Sequence, residues 1–213
     1  MVSQTVGRII ESPTCIAEGA DWLARREPQF AEALRLTGPL PLRRRRGGFA
    51  ALLDAIVSQQ VSVASANAIW ARLEAAGLTR ASGITLASDE TLRTCGLSRQ
   101  KIRYARALAE ARLNYAALAR APDEAVVARL TELPGIGRWT AEIYAMFSLG
   151  RADVFAPGDL ALQEAARLLF ALPSRPSEKA FRTMAEAWSP WRAVAARLLW
   201  SYYRVAKSRE GIR

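Results

Sequence analysis

Apolar residues spaced three and four apart, in alanine-rich segments, run along almost the whole chain, and no stretch alternates apolar and polar residues as a half-buried strand would. That regularity predicts an all-α fold, and the places where it breaks carry most of the remaining information. FAALLDAIVSQQ predicts a helix from Phe49 to about Gln60, and Ser62 can N-cap the next, Val63 to Ala76, which Gly77 ends. Gln59, Gln60 and Val61 therefore fall at a helix junction. Ser98 can cap one long helix through KIRYARALAEARLNYAALA, and APDEAVVARLTEL opens another with Pro122 at its first position and acids in its first turn. That helix must stop at Leu133: Pro134 disfavours an α conformation before it, and Gly135 and Gly137 allow positive φ. RWTAEIYAMFSL then resumes helical spacing, so the segment reads helix, four-residue hairpin, helix. RADVFAPGD is a loop delivering the chain to the helix LALQEAARLLF, with Asp159 at its N-terminus, and Ser189 and Pro190 begin a last helix running to about Lys207. The basic run Arg43 to Arg46, followed by Gly47 and Gly48, is the expected linker between an N-terminal segment and the first long helix.

Composition then removes whole classes of chemistry. The chain has no histidine and only two cysteines, Cys15 and Cys95, which excludes a Ser-His-Asp triad, histidine general bases, a four-thiolate cluster and the common zinc sites. Carboxylates, hydroxyls, lysine and aromatics are what is left. Arginines interrupt every candidate membrane span, and the N-terminus lacks a basic-then-apolar signal pattern, so the expected location is the cytoplasm. Thirty Lys+Arg against twenty Asp+Glu gives a formal charge of +10, and Lys101, Lys179 and Lys207 are the only lysines. This balance points to a polyanionic partner, nucleic acid first, against the alternative of an Ala/Arg-rich compositional bias.

A glycine hairpin between helices can grip a phosphate through its main chain, because glycines let the backbone approach closely and the amides opening the second helix point at the anion. The alternative is a plain helix connector with a glycine cap. Asp159 opens a helix, where an acid is usually an N-cap, although Leu162 replaces the Glu or Gln of a full capping box. Trp191 and Trp200 are nine residues apart and at about 100° per residue point to opposite sides of the last helix. Both are core only if that helix is buried all round; Trp22, Trp70 and Trp188 are read as packing.

Taken together, LPGIGRWTA followed by DVFAPGD, with AIVSQQVSVASA upstream and WSPWRAVAARLLW downstream, resembles the helix-hairpin-helix (HhH-GPD) superfamily of DNA glycosylases. It is most similar to the alkylated-base branch, the 3-methyladenine DNA glycosylase II type. The resemblance covers roughly residues 22 to 207 and implies two helical subdomains flanking a DNA-binding cleft, about 1–46 plus 150–213 and about 47–149. It maps the catalytic aspartate onto Asp159, the base-pocket aromatics onto Trp139 and Trp200 with Tyr144 beside a position where some relatives carry another aromatic, and the residue wedged into the duplex onto Gln60. Further DNA contacts are expected from Gln59, Ser62, Lys101, Pro134, Gly135, Ile136, Gly137, Arg138 and Thr140. Members that also cut the strand carry a lysine after the hairpin, where this chain has Trp139, and the cysteine cluster of the iron-sulfur members is absent. The implied protein is a compact monomer, associated with the nucleoid, that hydrolyses the N-glycosidic bond of alkylated purines in duplex DNA. It implies no metal or organic cofactor, apart from a monovalent cation that the hairpin carbonyls can hold. Two alternatives stand beside it: a bifunctional glycosylase/lyase, and a non-catalytic helix-hairpin-helix module, which would have no use for Asp159 together with Trp139 and Trp200.

Overall fold

The computed structural model describes residues 6–210. In chain order its α-helices are α1 (Pro13–Arg26), α2 (Pro28–Thr37), α3 (Phe49–Val57), α4 (Val63–Ala75), α5 (Ala81–Leu86), α6 (Asp89–Thr94) and α7 (Arg99–Glu110). They continue with α8 (Tyr115–Arg120), α9 (Asp123–Thr131), α10 (Arg138–Tyr144), α11 (Leu160–Leu169), α12 (Glu178–Met184) and α13 (Arg192–Glu210). Among the described residues the only β pairing is an isolated bridge between Ile9 and Arg151, so the fold is all-α.

The chain divides into two compact units. The first is Arg45–Tyr144, and the second joins Gly7–Arg44 to the chain from Ala145 onward. In the first, α7 packs on α3 and α5, and α9 pairs with α10 across the hairpin. Leu52, Leu53 and Ile56 of α3, Ile102 and Ala105 of α7, and Val126 and Leu130 of α9 are buried there at the three- and four-residue spacing that the sequence displays. In the second unit α13 packs on α2 and α11. Its centre is aromatic: Trp188 lies 5.1 Å from Phe30, 5.6 Å from Phe155 and 5.9 Å from Phe170, centroid to centroid. Trp188 is thus core, whereas Trp22 and Trp70 are half-buried at their helix surfaces.

Ser62 and Ser98 cap α4 and α7 as predicted, each accepting a hydrogen bond from the amide three residues on. Several boundaries differ from expectation. The helix from Phe49 ends at Val57, and Gln60 takes a φ of 56°. The long helix from Ser98 is two, because Arg112 turns left-handed with a φ of 43° and Asn114 caps α8 through its side chain. Pro122 is the N-cap of α9, not its first helical residue, since its ψ of 153° is extended. The helix after the hairpin changes at Ala145–Leu149 into a π-helical turn. The last helix starts at Arg192; before it, Ser189-Pro190 is a cis peptide and the Ser189 hydroxyl donates to Asp153. Arg43 to Arg46 fall in the segment joining α2 to α3, and Arg44 is fixed by donating to the Ser148 carbonyl at 3.0 Å.

Candidate active site and nucleic-acid interface

In the first unit the chain leaves α9 through Leu133, whose side chain is buried, and turns at Pro134 and Gly135. Gly135 has a φ of 87°, and a Cβ there would lie 2.3 Å from the Tyr104 ring, so both conformation and space demand glycine. Gly137 differs. Its φ is not positive, so the turn does not use the freedom that glycine allows there, and a Cβ on it would meet no atom within 4 Å. The protein's own packing does not require glycine at 137, whereas a ligand pressed against the backbone would. The Gly137 carbonyl accepts from the Ala141 amide at 3.0 Å, which places Gly137 at the head of α10 where first-turn amides lack helical partners.

Pro134, Gly137, Arg138 and Trp139 are exposed, with Trp139 48% exposed, whereas the Ile136 and Thr140 side chains are buried. Ile136 anchors the hairpin from inside, and Thr140 has turned into the unit, so neither side chain is presented as a surface contact. Arg138 is shared with two carboxylates, donating to the buried Glu142 at 3.0 Å and to Glu124 at 3.5 Å. Tyr144 is only 5% exposed, and its hydroxyl accepts from the Gly48 amide at 2.9 Å. Burial raises the Tyr144 phenol above its ordinary range, and this ring serves the interior of the unit instead of an open base pocket.

The α3–α4 junction meets the hairpin. Gln59 donates its Nε2–H to the Gly135 carbonyl at 2.8 Å, and Lys101 donates Nζ–H to the Val57 carbonyl at 2.6 Å. Desolvation holds the Lys101 ammonium below its ordinary range. Gln60 is exposed, and Ser62 is occupied as the cap of α4. Gln59, Gln60, Lys101, Gly135 and Gly137 line a hollow of about 490 Å³ together with Ser98, Gln100, Tyr104 and Thr131. The last four were missed from sequence, because nothing local distinguishes a tyrosine on an amphipathic helix that will abut a hairpin thirty residues on.

The second unit holds Asp159 and Trp200. Asp159 caps α11, its Oδ1 accepting from the Leu162 amide at 3.0 Å, so the ordinary reading of an acid at a helix start is correct. The same oxygen also accepts from Trp200 Nε1–H at 3.2 Å. A cap alone has no need of an indole donor reaching across from α13. Trp200 is half-buried and stands 5.7 Å from the Phe147 ring; Trp191 is buried and lies just before α13, so the helical angle expected between the two does not apply. The loop before Asp159 is braced twice: the buried Gln163 donates to the Pro157 carbonyl at 2.8 Å, and Asp153 accepts from Arg192 at 2.8 and 3.0 Å. Arg197, buried on α13, donates to the Ala193 carbonyl and sits over Phe147, and desolvation lowers its pKa to about 10. Among the described residues no group of three or more Cys, Asp or Glu side chains is placed to hold a metal ion.

The HhH-GPD superfamily of base excision DNA repair proteins matches residues 53–192, a span that runs from α3 to the start of α13 and includes the hairpin and Asp159. The chain is also 32% identical over 171 residues to DNA-3-methyladenine glycosylase 1 of Schizosaccharomyces pombe, covering 76% of this chain and 75% of that one. It belongs to the HhH-GPD superfamily. Among solved structures, the crystal structure of a DNA-3-methyladenine glycosidase from Bacillus halodurans superposes on this HhH-GPD chain with a TM-score of 0.81 at 31% identity, covering 94% of each. A second, S. pombe 3-methyladenine DNA glycosylase in complex with abasic DNA, gives 0.74 at 29% identity over 86% of this chain and 95% of that one. These relatives place this HhH-GPD protein in the 3-methyladenine glycosylase branch.

Proposed function

We propose that the protein is a monofunctional DNA glycosylase that hydrolyses the N-glycosidic bond of alkylated purines, such as 3-methyladenine and 7-methylguanine, in duplex DNA as the first step of base excision repair. One observation carries the reading: a helix-capping aspartate whose capping oxygen also takes a tryptophan N–H, in a chain whose relatives bear the name of this activity. The hairpin grips the phosphate backbone through its main chain, which accounts for a glycine at 137 that the protein itself does not need. The target base is extruded and Gln60, exposed in its left-handed turn, fills the gap.

Alkylated purines of this class are cationic, so aromatic faces such as Trp139 and Trp200 attract them by roughly 0.5–2 kcal/mol each. The positive charge also makes the base a good leaving group, and a chain without histidine needs no general acid for it. Asp159 stabilises the positive charge that develops on the sugar and orients the attacking water. Its carboxylate is already aimed by Leu162 N–H and Trp200 Nε1–H, so little reorganisation is required at the moment of reaction. A monovalent cation at the hairpin would be held by its backbone carbonyl oxygens, of which that of Gly135 also accepts from Gln59.

Incubation with methylated duplex DNA, followed by chromatography of the supernatant, tests the reading. Free 3-methyladenine or 7-methylguanine is expected. Tight binding without released base would leave a non-catalytic helix-hairpin-helix protein instead.

A further inference from the structure

One side chain joins the hairpin to the turn that carries Gln60. Gln59 reaches from the α3–α4 junction to the Gly135 carbonyl at 2.8 Å, and the Tyr104 ring presses on the same glycine closely enough to exclude a Cβ. Gly135 is therefore held between an amide and a ring. The preceding turn is fixed as well, since Lys101 donates to the Val57 carbonyl at the end of α3. Gln60 itself is exposed and adopts a φ of 56°, a region that non-glycine residues avoid unless their surroundings hold them there.

We propose that Gln59 is a positioning residue, tying the Gln60 turn to the hairpin so that the grip on the phosphate backbone sets where Gln60 enters the duplex. The inference rests on the reading above, in which the hairpin grips and Gln60 fills the gap. A wedge on a loose loop spends its binding energy on ordering itself; a wedge fixed in advance spends it on unstacking the base. Glutamine suits the task because it donates to a carbonyl without bringing a charge beside the hairpin, whereas glutamate has no donor. The sequence leads one to expect a direct DNA contact from Gln59, but its amide is committed to the protein.

The test uses a duplex with an abasic analogue and 2-aminopurine next to it, whose fluorescence rises on unstacking and requires no turnover. Gln59→Met keeps the shape and removes the donor. Gln59→Asn keeps an amide but withdraws it by one methylene. Both are expected to lower the unstacking equilibrium by about 3- to 10-fold, the net worth of one hydrogen bond. Affinity for an undamaged duplex should change by less than about twofold, and the melting temperature should fall by no more than the few degrees that one hydrogen bond is worth. In a Gln60→Ala background the Gln59 variants should have no further effect, because their target is already gone. Additive losses, or equal losses on undamaged DNA, would mean that Gln59 touches DNA directly and would overturn the proposal, as would a wild-type response from either variant. Release of alkylated bases by the wild-type protein tests the reading of function separately: a protein that releases bases normally while both variants unstack normally refutes only the role of Gln59.

Discussion

Asp159 is asked to do two things with one oxygen, and the two are separable by substitution. Asparagine caps a helix about as well as aspartate, so Asp159→Asn should melt within a degree or two of the wild type. Its loss of charge should nevertheless reduce base release by at least about 10²-fold, the scale of removing one preorganised electrostatic contact. Single-turnover release beside a thermal melt checks both halves, and wild-type rates would reduce Asp159 to a cap. Trp200→Phe keeps an aromatic face and deletes the donor at 3.2 Å, so it should cost about tenfold or more, since hydrogen bonds to charged groups are worth ~1.5–3 kcal/mol. Asp54, on α3, shows the opposite balance. Burial raises its carboxyl above the ordinary value, only partly offset by Arg45, so the folded state binds protons more readily than the unfolded one. Stability should therefore fall as the pH climbs through the range just above the ordinary carboxyl value. Asp54→Asn should raise the melting temperature at pH 7, with the gain vanishing in acid; a gain constant across pH would rule out desolvation as its origin.

The helix-hairpin-helix contains two glycines with different tasks. Gly135→Ala forces a Cβ to within 2.3 Å of Tyr104 at a φ of 87° and should lower the melting temperature together with DNA affinity. Gly137→Ala meets nothing within 4 Å and should melt like the wild type while weakening damaged and undamaged duplexes alike, as expected of a turn proposed to read phosphates and not bases. A loss confined to damaged DNA would assign Gly137 to the base pocket. These elements also show what is legible in a sequence. Ser62 and Ser98 are readable as caps because their side chains satisfy amides a fixed distance away in the chain. The hairpin is readable because proline and glycine act locally. The left-handed Arg112, which splits the expected long helix, is marked only by Asn114, and the segment before α13 is held by a Ser189 bond to Asp153, far away in the chain. In the candidate site, Asp159 and Trp200 were legible through their motif, but their shared hydrogen bond was not, and neither was the Gln59 strut, since each joins positions far apart in the chain. Tyr144 and Thr140 illustrate the reverse: the resemblance implied contact, and burial assigned their side chains to packing.

At the scale of the whole molecule, thirty basic residues exceed twenty acidic ones, and pairs such as Arg192–Asp153 and Arg106–Asp89 leave a net charge of +10. If roughly five phosphates are neutralised, affinity should fall by about 10²–10³-fold between 50 and 200 mM salt, and a flat dependence would leave that charge unexplained. The same inventory fixes the product. A lyase forms an imine between an amine and the sugar, and the position after the hairpin where such enzymes keep lysine is Trp139 here. None of the three lysines, Lys101, Lys179 and Lys207, stands directly after the hairpin, and Lys101 donates from its ammonium to the Val57 carbonyl. The reaction should therefore leave an intact strand carrying an abasic site, broken only by later alkali or a separate endonuclease. Borohydride added during turnover should trap no protein-DNA adduct. A stoichiometric adduct that disappears when one of these lysines is replaced would show that an imine forms, and would transfer the chain from the hydrolytic glycosylases to the lyases whatever its hairpin and aspartate suggest.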